Sequence, residues 1–127
     1  MRIEHIAIWT HQLEVQKVFY ENYFSARAGQ KYTNPITHFE SYFLTFVSGA
    51  RLELMQVPEV NTARASGRMA GYAHMAFSVG SREQVDWLTR QLEVDGHRIV
   101  GHPRTTGDGY YESIVLDPDG NRIEITV

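Results

Sequence analysis

Asp117-Pro118-Asp119-Gly120-Asn121-Arg122-Ile123-Glu124-Ile125-Thr126-Val127 is the stretch on which the reading of this chain turns. Its first four residues are turn chemistry: Asp at the first position, Pro fixing φ at the second, Gly closing. The residues after the turn alternate, with Ile123, Ile125 and Val127 on one face and Arg122, Glu124 and Thr126 on the other. That is the pattern of a half-buried strand with a carboxylate in the middle of its polar face. The same phrase occurs earlier in the chain. Gly49-Ala50-Arg51-Leu52-Glu53-Leu54-Met55 matches Gly120-Asn121-Arg122-Ile123-Glu124-Ile125-Thr126 position for position, at an offset of 71 residues (124 − 53).

A second echo makes this a repeat. His5-Ile6-Ala7-Ile8 matches His74-Met75-Ala76-Phe77 at an offset of 69 (74 − 5). Each reads as a strand with His and a small Ala on one face and large apolar residues on the other. Two histidines and two glutamates therefore hold equivalent places in two halves of one chain.

The elements between them repeat as well. Arg2–Thr10 reads as a strand and His11–Phe24 as a helix, with Val15, Val18, Phe19 and Tyr23 at helical spacing. Gly29 breaks that pattern, and Asn34-Pro35 within the weak stretch 30–39 implies a turn or an edge strand. Glu40–Val47 and Ala50–Val57 form a hairpin through Ser48-Gly49. Residues 58–71 lack periodicity and read as a linker; Arg64 and Arg68 within it are loop charges or contacts for an anionic ligand group. In the second half Tyr72–Val79 is a strand, and Ser81-Arg82-Glu83-Gln84 has the form of a capping box that opens a helix. Val85, Leu88 and Leu92 line that helix, and Gly96 stops it. His97–Val100 begins a strand, Gly101–Gly109 reads as a loop, and Tyr110–Leu116 with Asn121–Val127 makes the last hairpin. Each half is thus β-α-β-β-β, module 1–57 and module 72–127. Neither would cover its own sheet well alone, so the two are expected to pack as one α+β domain.

Composition narrows the function classes. A chain of 127 residues is long enough for one real core. Its 43% hydrophobic and 21% charged residues are those of an ordinary globular protein. A net charge of −3 gives no electrostatic reason to expect nucleic acid. No run approaches the ~18 apolar residues of a membrane span, and no basic-then-apolar leader stands at the start. The expectation is a cytoplasmic protein. With no cysteine, disulfides and thiolate metal sites are both excluded.

Imidazole nitrogen and carboxylate oxygen suit Zn, Ni, Co, Mn or Fe(II). His5, Glu53, His74 and Glu124 would supply two nitrogens and two oxygens, each from the polar face of a strand. A lone histidine or glutamate on such a strand is ordinarily a solvated or hydrogen-bonded residue. Recurrence of the same pair at the same place in both halves is what points to a metal site. His11, His38, His97 and His102 have no matching partner and read as surface residues, with His38 and His102 at most on a pocket rim.

These features resemble the vicinal oxygen chelate superfamily, also called the glyoxalase/bleomycin-resistance/dioxygenase fold, over nearly the whole chain. The resemblance rests on the paired halves, His5-Ile6-Ala7-Ile8, Tyr72-Ala73-His74-Met75-Ala76-Phe77 and Asp117-Pro118-Asp119-Gly120-Asn121-Arg122-Ile123-Glu124. It implies two βαβββ modules paired into a cupped, incomplete mixed β-barrel around a divalent metal, and a homodimer. The His-Glu-His-Glu set is similar to that of glyoxalase I, which implies a lyase or isomerase acting on a small α-oxo substrate through a metal-stabilised enediolate. Glu124 or Glu53 is then the base that moves the proton between neighbouring carbons. Close bacterial members carry an Arg about where Trp9 stands here; Trp9 cannot pair with a carboxylate, which argues against glutathione. Trp9 and Tyr72, on the faces of His5 and His74, are expected in the substrate pocket. The alternatives are a bleomycin-resistance-type binding protein without catalysis and an Fe(II) dioxygenase.

Overall fold

The structure is a computed structural model that describes residues 1–60 and 70–127. The chain divides into two compact units, Met1–Ser66 and Gly67–Val127. Each unit is an α+β module of the β-α-β-β-β kind.

The first unit runs β1 (His5–Trp9), α1 (Leu13–Phe24), β2 (Arg27–Ala28), β3 (Tyr32–Thr33), β4 (Glu40–Thr45) and β5 (Arg51–Gln56). Its sheet has the order β1-β5-β4-β2, with β3 also on β4. β1 lies parallel to β5, and the other pairs are antiparallel. The alternation read in the sequence decides which face is buried. Leu52 and Leu54 of β5, with Tyr42 and Leu44 of β4, point to α1, which buries Leu13, Phe19, Tyr20 and Phe24 against them. Each large apolar side chain removed from water this way contributes about 1.5–3 kcal/mol. The opposite face of the sheet carries His5, Ala7 and Trp9 beside Arg51, Glu53 and Met55.

The second unit runs β6 (Met75–Ser78), α2 (Arg82–Val94), β7 (Ile99–Thr105), β8 (Tyr111–Leu116) and β9 (Arg122–Thr126), with the sheet order β6-β9-β8-β7. β6 is parallel to β9, as β1 is to β5. Val85, Leu88 and Leu92 of α2 pack on Val115, Ile123 and Ile125 of the sheet. Ser81 caps α2, its hydroxyl accepting the Gln84 N–H at 3.3 Å. Gly96, at φ 87°, takes the left-handed conformation that ends the helix. The Asp117 turn forms as its residues dictate: the Asp117 carboxylate accepts the N–H groups of Asp119 and Asn121 at 3.0 and 2.7 Å. Gly120 closes the turn at φ 78°.

Three expectations are corrected. Strands β1 and β6 are shorter than the apolar pattern suggests, and His74 falls one residue before β6. The expected loop 101–109 is strand as far as Thr105. Pro103 is tolerated there because β7 is an edge strand and its register on β8 shifts twice, so no ladder N–H is demanded at that position. In the first unit the matching strand is broken into β2 and β3, both of which still pair with β4. A turn closes after β3, where the Asn34 side chain accepts the N–H groups of Ile36 and Thr37. Arg64 and Arg68 lie outside the described residues. Among the described residues no helix is long and apolar enough to cross a membrane.

Candidate functional site

The repeat in the sequence is a repeat of register. Ala7 stands opposite Glu53 in the β1–β5 pair, and Ala76 stands opposite Glu124 in the β6–β9 pair. Each histidine precedes its alanine by two residues, so it shares the glutamate's face and reaches it on the diagonal. The small alanine keeps the space between them open. His5 Nε2 lies 3.8 Å from Glu53 Oε2, and His74 Nε2 lies 3.4 Å from Glu124 Oε2. Both glutamates are mostly covered, with side chains 14% and 17% exposed, while both histidines are open. Each pair belongs to one unit.

These separations test whether the residues fit a metal. Two donors on one ion at about 2.1 Å stand about 3.0 Å apart across a right angle and about 3.4 Å apart at the tetrahedral angle. The second pair already has that spacing, and the first needs to close by a few tenths of an ångström. Nitrogen with carboxylate oxygen also suits a first-row divalent ion. Among the described residues no group of three or more His, Asp or Glu is gathered to hold an ion. Each unit thus presents one His/Glu pair.

The two pairs are supported differently, by residues to which the repeat does not point. In the first unit the carboxylate of Glu4 meets His5 Nδ1 at 2.5 Å. A carboxylate only accepts, so a neutral ring in this contact carries its proton on Nδ1 and presents Nε2 to Glu53. Arg51, opposite His5 in the sheet, holds Glu4 through side chain and backbone: its Nε donates to Glu4 Oε1 at 2.8 Å, its Nη2 pairs with the same oxygen, and its backbone N–H donates to the Glu4 carbonyl at 3.0 Å. The hydrogen bond from His5, with help from Arg51, lowers the Glu4 carboxyl below the ordinary range. Phe43 closes the group, with the Arg51 guanidinium 4.1 Å above its ring and His5 edge-on at 5.4 Å.

In the second unit the support falls on the glutamate. Glu112 of β8 lies opposite Thr126, on the face of Glu124, and is only 9% exposed. Burial first, then the charge of Glu124 and a hydrogen bond with it, push the Glu112 carboxyl up. Arg104 of β7 stands 3.7 Å away and offsets part of that charge. Ser41 occupies the equivalent place on β4, opposite Met55. The row beyond the donors therefore differs between units. It reads Trp9, Met55, Ser41, Tyr32 in the first and Ser78, Thr126, Glu112, Arg104 in the second.

Trp9 is half exposed on the His5 face, its ring edge-on to Phe39 at 6.2 Å. Tyr72 is fully exposed and lies ahead of β6. His38 lies beside a cavity of about 260 Å³ in the first unit, with Thr33, Glu40, Gln56, Val57 and Pro58. His97 is half-buried rather than on the surface, and that burial lowers its pKa. The sequence signal for Glu4 and Glu112 is weak: one adjoins a histidine, and the other sits at a strand position where Ser41 breaks the repeat.

Residues 2–125 match the family model described as Glyoxalase/Bleomycin resistance protein/Dioxygenase superfamily. The uncharacterized protein YqjT of Bacillus subtilis (strain 168) is 28% identical over 130 residues, spanning 97% of this chain and 96% of that protein. Among solved structures, the glyoxalase family protein from Enterococcus faecalis superposes with a TM-score of 0.81 at 21% identity, covering 99% of this chain and 97% of that one. The trypanothione-dependent glyoxalase I of Leishmania major gives 0.77 at 23% identity, over 99% and 86%. Glyoxalase I from Zea mays gives 0.80 at 20% identity, and this chain spans 98% of itself but 44% of the maize chain. At such identities the structural likeness is one of fold.

Proposed function

The chain belongs to the Glyoxalase/Bleomycin resistance protein/Dioxygenase superfamily, and from that premise we propose that it is a divalent-metal-dependent, glyoxalase-like lyase or isomerase. Its substrate is a small molecule with oxygens on neighbouring carbons. His5, Glu53, His74 and Glu124 are the ligands, two from each unit. The observation that carries this reading is the doubled register: alanine opposite glutamate, histidine two residues earlier, and the ring nitrogen 3.4–3.8 Å from the carboxylate in both units.

A bound Zn, Ni, Co, Mn or Fe(II) ion supplies Lewis acidity, drawing charge from a substrate oxygen and lowering the cost of removing the proton on the adjacent carbon. The protein supplies the rest. His5 and His74 donate through Nε2. Glu124 or Glu53 takes the carbon-bound proton at a carboxylate oxygen and returns it to the neighbouring carbon. Trp9 and Tyr72 line the substrate side, where an apolar ring replaces the cation that a glutathione carboxylate would need. The protein acts in the cytoplasm as a homodimer, which sedimentation of the purified chain would test.

The experiment is metal analysis of the purified protein beside His74→Ala/Glu124→Ala, followed by exchange of the α-proton of small α-oxo compounds and their thiol adducts with deuterated solvent. The reading requires about one transition metal per chain, lost in the double variant together with the exchange. A folded wild type that refuses all five ions would leave a superfamily member that binds its small molecule without catalysis.

A further inference from the structure

The metal-dependent function treats the four donors alike, but the surroundings of His5 and His74 differ in a way that bears on their chemistry. A neutral imidazole has two tautomers, and only the nitrogen without a proton can bind a metal. On an exposed ring in water the two tautomers exchange freely, with the Nε2–H form favoured. At His5 something sets the choice. Glu4 Oε2 stands 2.5 Å from Nδ1, and Arg51 grips the other Glu4 oxygen and the Glu4 carbonyl. The Phe43 edge contact sets the ring plane. Because Arg51 is the register partner of His5, the sheet itself delivers the clamp.

We propose that Glu4 is a positioning residue: its carboxylate accepts the His5 Nδ1–H, holding His5 in the tautomer whose bare Nε2 faces Glu53 and can bind a divalent ion. Metal-binding histidines that donate their second ring N–H to a carboxylate are the general case, and loss of such a partner weakens metal binding about 10- to 100-fold. The second unit provides an internal control. Arg122 matches Arg51, but Ala73 stands where Glu4 would be (4 + 69), so this position gives His74 no carboxylate. The two histidines are therefore preorganised to different degrees, with His5 the fixed donor. The metal-binding half of this proposal rests on the four-ligand reading; the tautomer half does not.

The test separates the two. Long-range ¹H–¹⁵N NMR on the metal-free protein above about pH 8, where imidazole is neutral, reads the tautomer of each histidine directly. His5 is expected with its proton on Nδ1 in wild type and in Glu4→Gln, whose amide oxygen still accepts. In Glu4→Ala the proton should redistribute toward Nε2, with His74 unchanged in all three. Titration with Co(II) or Zn(II) should then show Glu4→Ala weaker by about 10- to 100-fold and Glu4→Gln within a few-fold of wild type. Glu4 is a surface side chain whose exposed ion pair contributes little, so all three proteins should unfold at nearly the same denaturant concentration. A wild-type His5 protonated on Nε2, or a tautomer indifferent to Glu4→Ala, overturns the proposal. So does a Glu4→Ala protein that binds metal as tightly as wild type. A wild type that takes up no metal while Glu4 still sets the tautomer supports the positioning role and sinks the four-ligand function.

Discussion

The two units carry the same donor pair in the same register, yet one secures its histidine and the other its glutamate. In the first, Glu4, Arg51 and Phe43 hold His5, and Glu53 has Ser41 as its neighbour in the adjoining row. In the second, Glu112 and Arg104 back Glu124, and His74 has Ala73 before it. A repeat thus preserves the positions that could bind an ion and lets the supporting positions diverge. Backbone register is set by strand pairing and buried faces, which tolerate little change. The supporting side chains only have to reach, so each half can find its own solution. The row beyond the donors has diverged furthest, with Ser41 among aromatic and apolar residues in the first unit and every member polar in the second.

The largest expected break in the symmetry is catalytic. Glu53→Gln and Glu124→Gln each remove one carboxylate from an otherwise intact pair. The variant that loses the proton carrier should lower the exchange rate by about 100- to 10,000-fold while keeping its metal. The other should lose activity mainly through weaker metal binding. Equal kinetic and metal losses in both would mean that the base is neither glutamate alone. Next in size are the matched core positions Leu54 and Ile125, both fully buried on the helix side. Alanine at either should cost about 2–5 kcal/mol in urea unfolding. A much smaller loss at one site would show that its sheet repacks where the other does not.

Glu112 gives a pH-dependent difference between the halves. Its carboxyl is raised on folding, by burial first and then by the charge of Glu124. A carboxyl raised on folding favours the folded state below its unfolded pKa, and that contribution is lost as pH rises through the folded value. The metal-free protein should therefore lose stability relative to Glu112→Gln as pH climbs from the ordinary glutamate range toward neutrality. Ser41→Ala, at the matching place, should leave the pH profile unchanged. Parallel profiles for wild type and Glu112→Gln would dispose of the idea. The smallest effect is at the helix starts. Ser81 caps α2, whereas Gln12 makes no side-chain cap to α1, whose first N–H goes instead to Gln56 Oε1 at 3.0 Å. Ser81→Ala should cost about 1 kcal/mol by thermal unfolding.

Much of this fold was legible because it is written twice. Arg51-Leu52-Glu53-Leu54 and Arg122-Ile123-Glu124-Ile125 state the same alternation, and Asp117-Pro118-Asp119-Gly120 fixes the turn before one of them. Where one copy lacks a clear pattern the reading failed. Residues 101–105 hold a glycine, a histidine and a proline that conceal an edge strand, since edge strands need neither alternation nor every N–H. The broken strand of the first unit was hidden for the opposite reason: two residues at a time give no period to detect. In the candidate site the pairing of each histidine with its glutamate could be read from the repeat, but the contacts of Glu4 and Glu112 could not. Their roles depend on which oxygen reaches which ring or carboxyl across a strand pair, and that is settled only by register and rotamer.

The claim that His5, Glu53, His74 and Glu124 are all metal ligands is tested most directly by metal stoichiometry. Wild type, His5→Ala/Glu53→Ala and His74→Ala/Glu124→Ala would each be titrated with Co(II), followed by absorption and by mass spectrometry of the intact chain. One ion per wild-type chain, with neither double variant retaining it at comparable affinity, is the predicted result. Either double variant binding as tightly as wild type would contradict the claim.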